Sequence, residues 1–439
     1  MKVVLLATYE MGRQPFGLAS PAAWLRRAGH EVSAVDLSVI PFPVQAVREA
    51  NLVAVYLPMH TATRLASAVV TRVRTLNSGA ALCAYGLYAP MAEEHLRELG
   101  VTAFFGGEFE PALVDFAAGS EPGSNVSLDK LRFVEPDRAG LPALARYPKL
   151  ITIKGKRTAG YTEASRGCKH LCRHCPVVPV YGGAFRVVQA DVVLADIRNQ
   201  VAGGAQHISF GDPDFFNGPT HARHIVEALH AEFPLLTYDV TIKIEHLLKH
   251  RDMLPVLART GCAFVISAVE SLEDAVLENL AKGHTRADFL QVVDLFRQSE
   301  LVLSPTFLPF TPWTTRHGYA QLLDTLRELR LTEHVPPVQL ALRLLIPAGS
   351  RILELDEVRE SVTGFDPAAL VWRWKHPDPA VDQLAADVMG AVQNGVKIVA
   401  SRAETFDAIW QLVHGRPAPV DEGLLPRTVI PYMEEPWFC

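Results

Sequence analysis

Three of the chain's six cysteines stand within eight residues, and their spacing constrains the fold more than any other feature of the sequence. They are Cys168, Cys172 and Cys175, in the pattern C-x3-C-x2-C. Cysteine thiolates are the usual protein ligands of iron–sulfur clusters. Three thiolates in one short loop can hold three corners of a 4Fe–4S cluster and leave the fourth iron open. The spacing therefore predicts a cluster-binding loop.

The same cysteines permit two other interpretations. With His170 or His174 they could form a structural zinc site, but zinc sites usually take their ligands as two separated pairs, and the sequence offers no second pair. Disulfides are disfavoured because adjacent loop cysteines pair poorly and nothing marks the chain as secreted. The cluster is the favoured interpretation, and zinc is the main alternative.

Length and composition describe a globular protein of more than one domain. A chain of 439 residues exceeds a single hydrophobic core, so two domains and a tail are expected. The net charge of −6 argues against the basic face that a nucleic-acid partner requires. No apolar run reaches the length of a membrane span, and no signal peptide is evident. We therefore expect a cytoplasmic protein with reduced cysteines and no membrane partner.

The first 118 residues alternate between short apolar runs and segments of helical periodicity. Because parallel strands need crossover helices, this rhythm predicts a doubly wound, Rossmann-like α/β sheet. Ser20 is expected to cap the first helix, with Pro21 at the first helical position and Gly29 after its end. The predicted strands are residues 3–7, 32–35, 52–57, 80–84 and 102–105.

The rest of the chain divides into a linker, a second βα region and a tail. Residues 119–158 have the turn-forming composition of a linker, and residues 351–439 form a tail with predicted helices at 380–393 and 406–414. Between them, residues 159–350 contain six predicted strands, too few to close an eight-stranded barrel. Catalytic groups in such barrels lie at the carboxyl ends of the strands. These strands are residues 162–164, 207–210, 236–242, 263–267, 302–308 and 338–344.

The cysteine spacing resembles that of the radical S-adenosylmethionine (SAM) enzymes, and the six βα units match their partial (β/α)6 barrel. A Rossmann-like domain directly before such a barrel resembles the cobalamin-binding domain of the cobalamin-dependent members. The resemblance covers roughly residues 1–350. It implies that SAM chelates the open iron and that a donor such as flavodoxin or ferredoxin reduces the cluster. Reductive cleavage of SAM would then give a 5′-deoxyadenosyl radical.

The resemblance also assigns residues at the carboxyl edge of the first sheet to cobalamin. Three glycines match positions where the family's backbone approaches the nucleotide tail of the cofactor, and a threonine lies where a hydroxyl contacts the corrin side chains. The loop at residues 9–17 lacks the histidine that ligates cobalt in methionine-synthase-type domains, which implies an open or water-bound lower face. A scaffolding domain without cobalamin is the alternative. The residues assigned are Thr61, Tyr85, Gly86, Gly106 and Gly107.

Charged residues after the second, third and fourth predicted barrel strands match positions that contact SAM in the family. Asp212 and Asp214 match a site that accepts hydrogen bonds from the cofactor's ammonium, although Asp-Pro here also forms turns. Lys243 and Glu245 lie where the family contacts the ribose and carboxylate of SAM, although they could equally form a solvated pair. Glu270 belongs to a Glu-Ser stretch that lies beside the adenosyl group.

Two residues are candidates for contact with the substrate. Arg343, in the sixth predicted strand, could bind a substrate carboxylate or satisfy a carboxylate of the barrel. Cys439 follows two aromatic residues and could fold back to the barrel mouth as a ligand, hydrogen donor or thiol acceptor; a hydrophobic anchor is the alternative. The tail also resembles the cysteine- or selenocysteine-containing tails of some related radical proteins, which would imply a recoded codon after the last residue.

Within the family that the chain resembles, methylation of an unactivated carbon or phosphorus is the commonest chemistry. The resemblance therefore implies a cobalamin-dependent methyltransferase that acts on a small molecule or natural-product intermediate. A radical rearrangement or cyclisation without cobalamin and a non-enzymatic iron–sulfur or zinc protein are the alternatives. No residue of the sequence identifies the substrate.

Overall fold

The computed structural model describes residues 1–419 and 430–434, which form two α/β sheets and a tail. Cys439 lies outside the described residues, so its expected role stays a prediction. Within the described ranges, no helix combines the length and the apolar character needed to cross a membrane.

The first sheet has six strands, β1 (Lys2–Ala7), β2 (Glu31–Asp36), β3 (Leu52–Tyr56), β4 (Ala81–Tyr85), β5 (Ala103–Gly107) and β6 (Val126–Ser127). They are parallel and lie in the order β2-β1-β3-β4-β5-β6, so the predicted doubly wound sheet is confirmed. The strand order reverses between β1 and β3, and such a reversal opens a ligand crevice at the carboxyl ends. Both faces are covered by helices: α1 (Phe16–Arg27), α2 (Val44–Glu49), α3 (His60–Leu76), α4 (Glu93–Glu98) and α5 (Glu110–Ala117).

The first helix begins at Phe16, so the prediction that Ser20 caps it was wrong. Pro21 lies inside the helix and has no N–H, which leaves the carbonyl of Gly17 without its helical partner. The hydroxyl of Tyr85 donates to that carbonyl at 2.8 Å. A tertiary hydrogen bond therefore compensates for the interior proline, and the hydroxyl of Ser20 is also used in a tertiary contact.

The second sheet is an open barrel whose parallel strands are β8 (Gly155–Thr162), β11 (His207–Phe210), β12 (Thr237–Thr241), β13 (Cys262–Glu270) and β14 (Leu303–Phe307). Two antiparallel strands, β7 (Lys149–Thr152) and β17 (Tyr432–Met433), extend the edge beside β8. The expected partial barrel is therefore confirmed. A separate hairpin joins β9 (Ser165–Gly167) and β10 (Phe185–Val187). The helices here are α6 (Val177–Tyr181), α7 (Ala190–Ala202), α8 (Pro219–Glu232), α9 (Ile244–Lys249), α10 (Leu254–Arg259), α11 (Asp274–Asn279), α12 (Arg286–Gln298) and α13 (Arg316–Glu328).

The sixth predicted barrel strand, residues 338–344, does not form a strand. A 3-10 helix, Pro337–Leu340, takes its first part, and a single parallel bridge between Phe310 and Arg343 marks the strand position within the described chain. Pro336 directly precedes this helix, and two consecutive prolines cannot donate hydrogen bonds to a strand ladder. The barrel sheet therefore has β14 as its last strand on this side, and the chain beside it forms a 3-10 helix and a single bridge.

The linker and the tail contribute more strands than their sequence patterns predict. Residues 119–158 supply β6 to the first sheet, and β7 and the start of β8 to the second. The tail contains α14 (Asp356–Ser361) and an antiparallel hairpin of β15 (Val362–Asp366) and β16 (Val371–Trp374). The two predicted tail helices are confirmed as α15 (Pro379–Lys397) and α16 (Arg402–His414). Strand β17 then pairs with β7, so the tail returns to the barrel edge.

Candidate active site

The three-cysteine loop lies between β9 and α6, at the carboxyl ends of the barrel strands. Asn217, which follows β11, anchors its beginning: the side-chain carbonyl accepts from the N–H of Lys169 at 3.1 Å, and the amide donates to the carbonyl of Gly167 at 3.3 Å. Arg173 anchors its middle, because its backbone N–H donates to the carbonyl of Leu280 at 3.0 Å. Hydrogen bonds from two barrel segments thus hold the loop in place.

The thiols of this loop lie in a partly apolar environment. Cys172 is buried, and Cys168 and Cys175 pack beside an apolar cluster at α6. Burial raises the pKa of Cys175 to about 12 and also raises the pKa of Cys168. Neutral thiols are therefore favoured until a bound metal deprotonates them. Among the described residues, the other two cysteines lie in β4 and at the start of β13 and do not join this loop.

A buried polar group lies directly beside the first cysteine of the loop. Asp214 Oδ2 lies 2.7 Å from His246 Nδ1 and 3.3 Å from His170 Nε2, yet none of these three buried atoms has a well-aligned hydrogen bond. Ligand atoms of Cys168, His170 and Asp214 lie within 4.8 Å of one another. Burial alone would raise the pKa of Asp214, but the two histidines lower it. Converging, unsatisfied polar atoms beside a thiol can receive a polar or cationic ligand.

A second charged group faces the loop from the end of β13. Glu270 Oε1 lies 3.1 Å from His174 Nε2 and 3.3 Å from Lys282 Nζ. Burial alone would raise the pKa of Glu270, but Lys282 and His174 outweigh it and lower that pKa to about 2. Burial likewise opposes the charge of Lys282, but Glu270, Cys172 and Cys175 raise its pKa. A buried cation therefore stands close to two of the three thiols.

The remaining residues that were predicted to contact SAM have different surroundings in the structure. Asp212 is buried and accepts from the N–H of Ala164 at 2.9 Å and from the hydroxyl of Ser165 at 2.6 Å, so it fixes the backbone that leads into the loop. Burial raises the pKa of Asp212 to about 7. Lys243 and Glu245 face each other at 3.4 Å beside the histidine pair, with the lysine buried and the glutamate half-exposed.

An ionic network at Arg166, two residues before the first cysteine, is absent from the sequence-based predictions. Two nitrogens of this buried guanidinium donate to Glu110 at 2.7 and 2.9 Å, and a third donates to Glu163 at 2.8 Å. Glu110 is the first residue of α5, so the network joins the first sheet to the cysteine loop. Glu108 lies 3.5 Å from the same guanidinium, and burial raises its pKa to about 7. The sequence shows four charges here without showing that they meet.

The glycines assigned to the cobalamin tail lie against the chain's own atoms. An added Cβ at Gly107 would stand 2.1 Å from the carbonyl of Ser127 in β6, and one at Gly106 would stand 2.5 Å from Pro90. At Gly86, with φ of +105°, it would meet the carbonyl of Leu57 at 2.9 Å. These positions therefore need glycine for contacts within the protein. Tyr85, also assigned to this edge, is fully buried and donates to the α1 carbonyl described above.

A cavity of about 730 Å³ lies between the carboxyl ends of the two sheets. From the first sheet it is lined by the segment after β3, including Thr61, and from the barrel by His174 and Glu270. Arg343 lines it as well, but its guanidinium donates to Asp382 at 2.6 Å and stacks 3.8 Å from the Trp374 ring centroid. The predicted Arg343 thus binds a tail carboxylate. We call this space the interdomain cavity.

The comparisons with known proteins agree with this architecture. Residues 162–329 match the model of the radical SAM superfamily. The chain is 26% identical over 184 residues to a tRNA-2-methylthio-N(6)-dimethylallyladenosine synthase of Desulfosudis oleivorans, covering 39% of this chain and 38% of the relative. It is 22% identical over 330 residues to hopanoid C-3 methylase of Methylococcus capsulatus, covering 68% of this chain and 62% of that protein.

A solved structure extends the similarity to the first sheet. The cobalamin-dependent SAM radical enzyme OxsB, with aqua-cobalamin bound, aligns with 90% of this chain and 67% of its own, at a TM-score of 0.67 and 14% identity. The chain spans about two fifths of the first relative and about three fifths of the second, so their activities do not transfer with the similarity. Residues 162–329 thus match the radical SAM superfamily, and the fold of the chain is similar to that of a cobalamin-dependent SAM radical enzyme.

Proposed function

We propose that the protein is a radical SAM enzyme that binds cobalamin between its two sheets and methylates an unactivated centre of a small molecule. The observation that carries the proposal is the position of the three-thiol loop: it lies at the barrel's carboxyl ends, beside a cavity that is shared with the ligand-binding edge of the first sheet. The net charge of −6 favours a small substrate over the tRNA of the first relative.

The residues of the loop fit a cluster with one open iron. Cys168, Cys172 and Cys175 supply three thiolates, and the two other described cysteines lie outside this loop, in β4 and at the start of β13. Lys282, buried beside two of the thiols, offsets part of the negative charge that a thiolate-bound cluster carries. An external one-electron donor such as a flavodoxin or ferredoxin would supply the electron.

The polar groups around the loop fit the charged ends of SAM. Asp214, with an unsatisfied carboxylate oxygen beside the first cysteine, can accept from the SAM ammonium. The nearby Lys243 can pair with the SAM carboxylate, and Glu270 with His174 can bind its adenosine portion. When bound, SAM supplies the radical that removes hydrogen from the substrate. The chain's own contribution is to hold the two charged ends of SAM in a site largely shielded from water.

The structure offers space for the corrin of cobalamin but little space for its nucleotide tail at the predicted position. The interdomain cavity, at about 730 Å³, lies where a corrin would face both the barrel and the carboxyl edge of the first sheet. Thr61 lines it from the first turn of α3, a position that supports the proposed corrin contact. Gly86 and Gly107, at the predicted tail position, line a cavity of only about 150 Å³, and an added Cβ at either would meet the protein's own backbone. When bound, cobalamin would supply the methyl group.

The small size of the cavity at the glycine positions favours a second candidate function. A radical SAM enzyme whose first sheet only shapes the substrate pocket would use the interdomain cavity for substrate alone and would catalyse a rearrangement or cyclisation. The α1–α5 contact at Ser20 and Glu110, 2.6 Å, and the Arg166 network would then serve as a scaffold. The amount of cobalt that the protein retains distinguishes the two candidates.

The test is anaerobic expression with cobalamin supplied, reconstitution with iron and sulfide, and metal analysis after gel filtration. The proposal predicts about four irons and one cobalt per chain. Arg198→Gln, in an exposed ion pair of α7, is the matched control and is expected to retain both metals. Four irons without cobalt would refute the cobalamin part and leave the second candidate. Zinc in place of iron would refute the radical mechanism.

A further inference from the structure

A second cavity, of about 670 Å³, opens at the reversal of strand order in the first sheet. It is lined by the residues that follow β1, by the turn after β2, by the first turns of α3 and by the linker residues 146–148. Thr61 and Arg64 line both this space and the interdomain cavity, so the two adjoin. We call this second space the arginine cavity.

The charge of the arginine cavity is one-sided. Arg64 and Arg146 line it, and no carboxylate does so within the described part of the chain. Arg146 is held in place by a hydrogen bond of 2.8 Å from Nη2 to the carbonyl of Val39, which leaves other guanidinium donors for a ligand. Two arginines without an acidic partner at a ligand-binding edge attract an anion, and the planar guanidinium suits phosphate oxygens.

Neutral donors beside the arginines add to this preference. Helix α3 begins after Met59 without a side-chain cap, so its first-turn N–H groups point toward the sheet's carboxyl edge and are available to an anion. Thr61, in that first turn, places a hydroxyl on the lining, whereas the Ser38 hydroxyl after β2 already donates to Asp36 at 2.6 Å. The helix end supports a site that the cavity and the two arginines define.

The small cavity at the expected tail position is less suited to an anion. It measures about 150 Å³ and is lined by Gly86 and Gly107 together with Glu10, Glu163 and Arg166, whose guanidinium is already paired with Glu163. Glu10 is buried with one unsatisfied carboxylate oxygen, and burial raises its pKa well above the usual value. A phosphodiester placed there would meet two carboxylates in a space too small for a nucleotide. A phosphate-bearing ligand end is therefore better accommodated in the arginine cavity.

We propose that the arginine cavity binds the phosphate group of a ligand whose other end lies in the interdomain cavity. Two ligands carry that chemistry: cobalamin, through the phosphodiester of its nucleotide tail, and a phosphorylated substrate. The cobalamin alternative rests on the proposed function, because it would bind the nucleotide tail in the arginine cavity and not at the glycine positions. The second stands without cobalamin.

The experiment compares two corrins and a simple phosphate on the full chain. Equilibrium dialysis at about 0.15 M salt, where surface charges are screened, measures the Kd of cobalamin and of cobinamide, which lacks the nucleotide and its phosphate. Isothermal calorimetry measures the Kd of inorganic pyrophosphate. The protein variants are Arg64→Gln with Arg146→Gln, and the control Arg48→Gln, an exposed arginine of α2 that does not line the cavity.

If the cobalamin phosphate is the ligand, cobalamin binds at least about tenfold more tightly than cobinamide, and the double variant removes that difference without weakening cobinamide. If a substrate phosphate is the ligand, the two corrins bind equally or not at all, and pyrophosphate binding is lost in the double variant but kept in Arg48→Gln. Unchanged cobalamin and pyrophosphate affinities in the double variant would overturn the inference. Failure of the unsubstituted chain to bind either corrin would refute only the cobalamin part of the proposed function.

Discussion

Replacement of Arg166 by methionine tests the ionic link between the first sheet and the cysteine loop. The Arg166 side chain is 7% exposed, and its guanidinium makes three hydrogen bonds of 2.7 to 2.9 Å to Glu110 and Glu163. Methionine keeps much of the side-chain volume beside Phe109 and Phe133, whose ring centroids each lie 5.0 Å from the guanidinium carbon. The variant therefore removes the charge with little change in packing.

The expected cost follows from what remains. Without Arg166, the carboxylates of Glu110 and Glu163 stay buried and uncompensated, and breaking such a pair from one side costs about 3–5 kcal/mol of unfolding free energy. Arg166→Lys keeps the charge but loses the paired geometry, and we expect an intermediate loss of about 1–2 kcal/mol. The triple variant with Glu110→Gln and Glu163→Gln is expected to recover part of the loss.

Urea unfolding of the apoprotein, followed by tryptophan fluorescence, measures these differences. The control is Arg198→Met, because Arg198 makes the same two-nitrogen contact with Glu232, at 2.7 and 2.8 Å, with side chains 49% and 37% exposed. An exposed pair contributes less than about 1 kcal/mol. Equal losses for Arg166→Met and Arg198→Met would refute the assignment of a buried, structurally important network.

Three further predictions follow from individual side chains. Burial raises the pKa of Glu108 to about 7 from a usual 4.5, so between these values the folded state keeps a proton that the unfolded state releases. The free energy of unfolding therefore falls by up to about 3 kcal/mol as the pH rises through this window. The difference between the urea midpoints at pH 5 and pH 8 should be smaller in Glu108→Gln than in the unsubstituted protein, and an unchanged difference would contradict this prediction. Lys282→Met removes the buried cation beside two thiols and should lower the cluster's reduction potential by about 60 mV if the lost interaction is about 1.4 kcal/mol, as measured by redox titration against the exposed-site control Lys249→Met. Arg343→Gln and Asp382→Asn each break the same half-buried pair and should cost about 1 kcal/mol in unfolding; a raised KM in Arg343→Gln alone would instead indicate a substrate contact.

The sequence predicted the elements that depend on local patterns. The apolar runs of the first sheet and the C-x3-C-x2-C loop can be read directly, since continuous hydrophobic strands and closely spaced thiols leave few alternatives. The start of α1 could not, because an interior Pro21 is tolerated only through the tertiary hydrogen bond from Tyr85 to the carbonyl of Gly17. Strand β6 was hidden for a similar reason: its two residues form a strand only against β5.

The site shows the same division between local and tertiary information. Glu270 and Asp214 could be proposed from the sequence because each lies at or after the end of a strand, and strand ends converge in a partial barrel. Two ion pairs of the site could not be predicted, because no local pattern connects their partners. Lys282 and Glu270 are 12 residues apart in the sequence, and Arg166 and Glu110 are 56 residues apart. The glycines near β5 permit two interpretations, because close backbone approach serves the chain itself as readily as it serves a cofactor, so their assignment to cobalamin stays a prediction.

The most direct test of the central claim is electron paramagnetic resonance of the anaerobically reconstituted, reduced protein with and without SAM. A cluster held by Cys168, Cys172 and Cys175 has an open iron, so we predict a signal that changes on addition of SAM. The signal should be lost when all three are replaced by alanine and kept in the control Cys262→Ala, whose thiol lies elsewhere in β13. A signal that SAM does not alter, or one that survives the triple replacement, would contradict the radical SAM assignment.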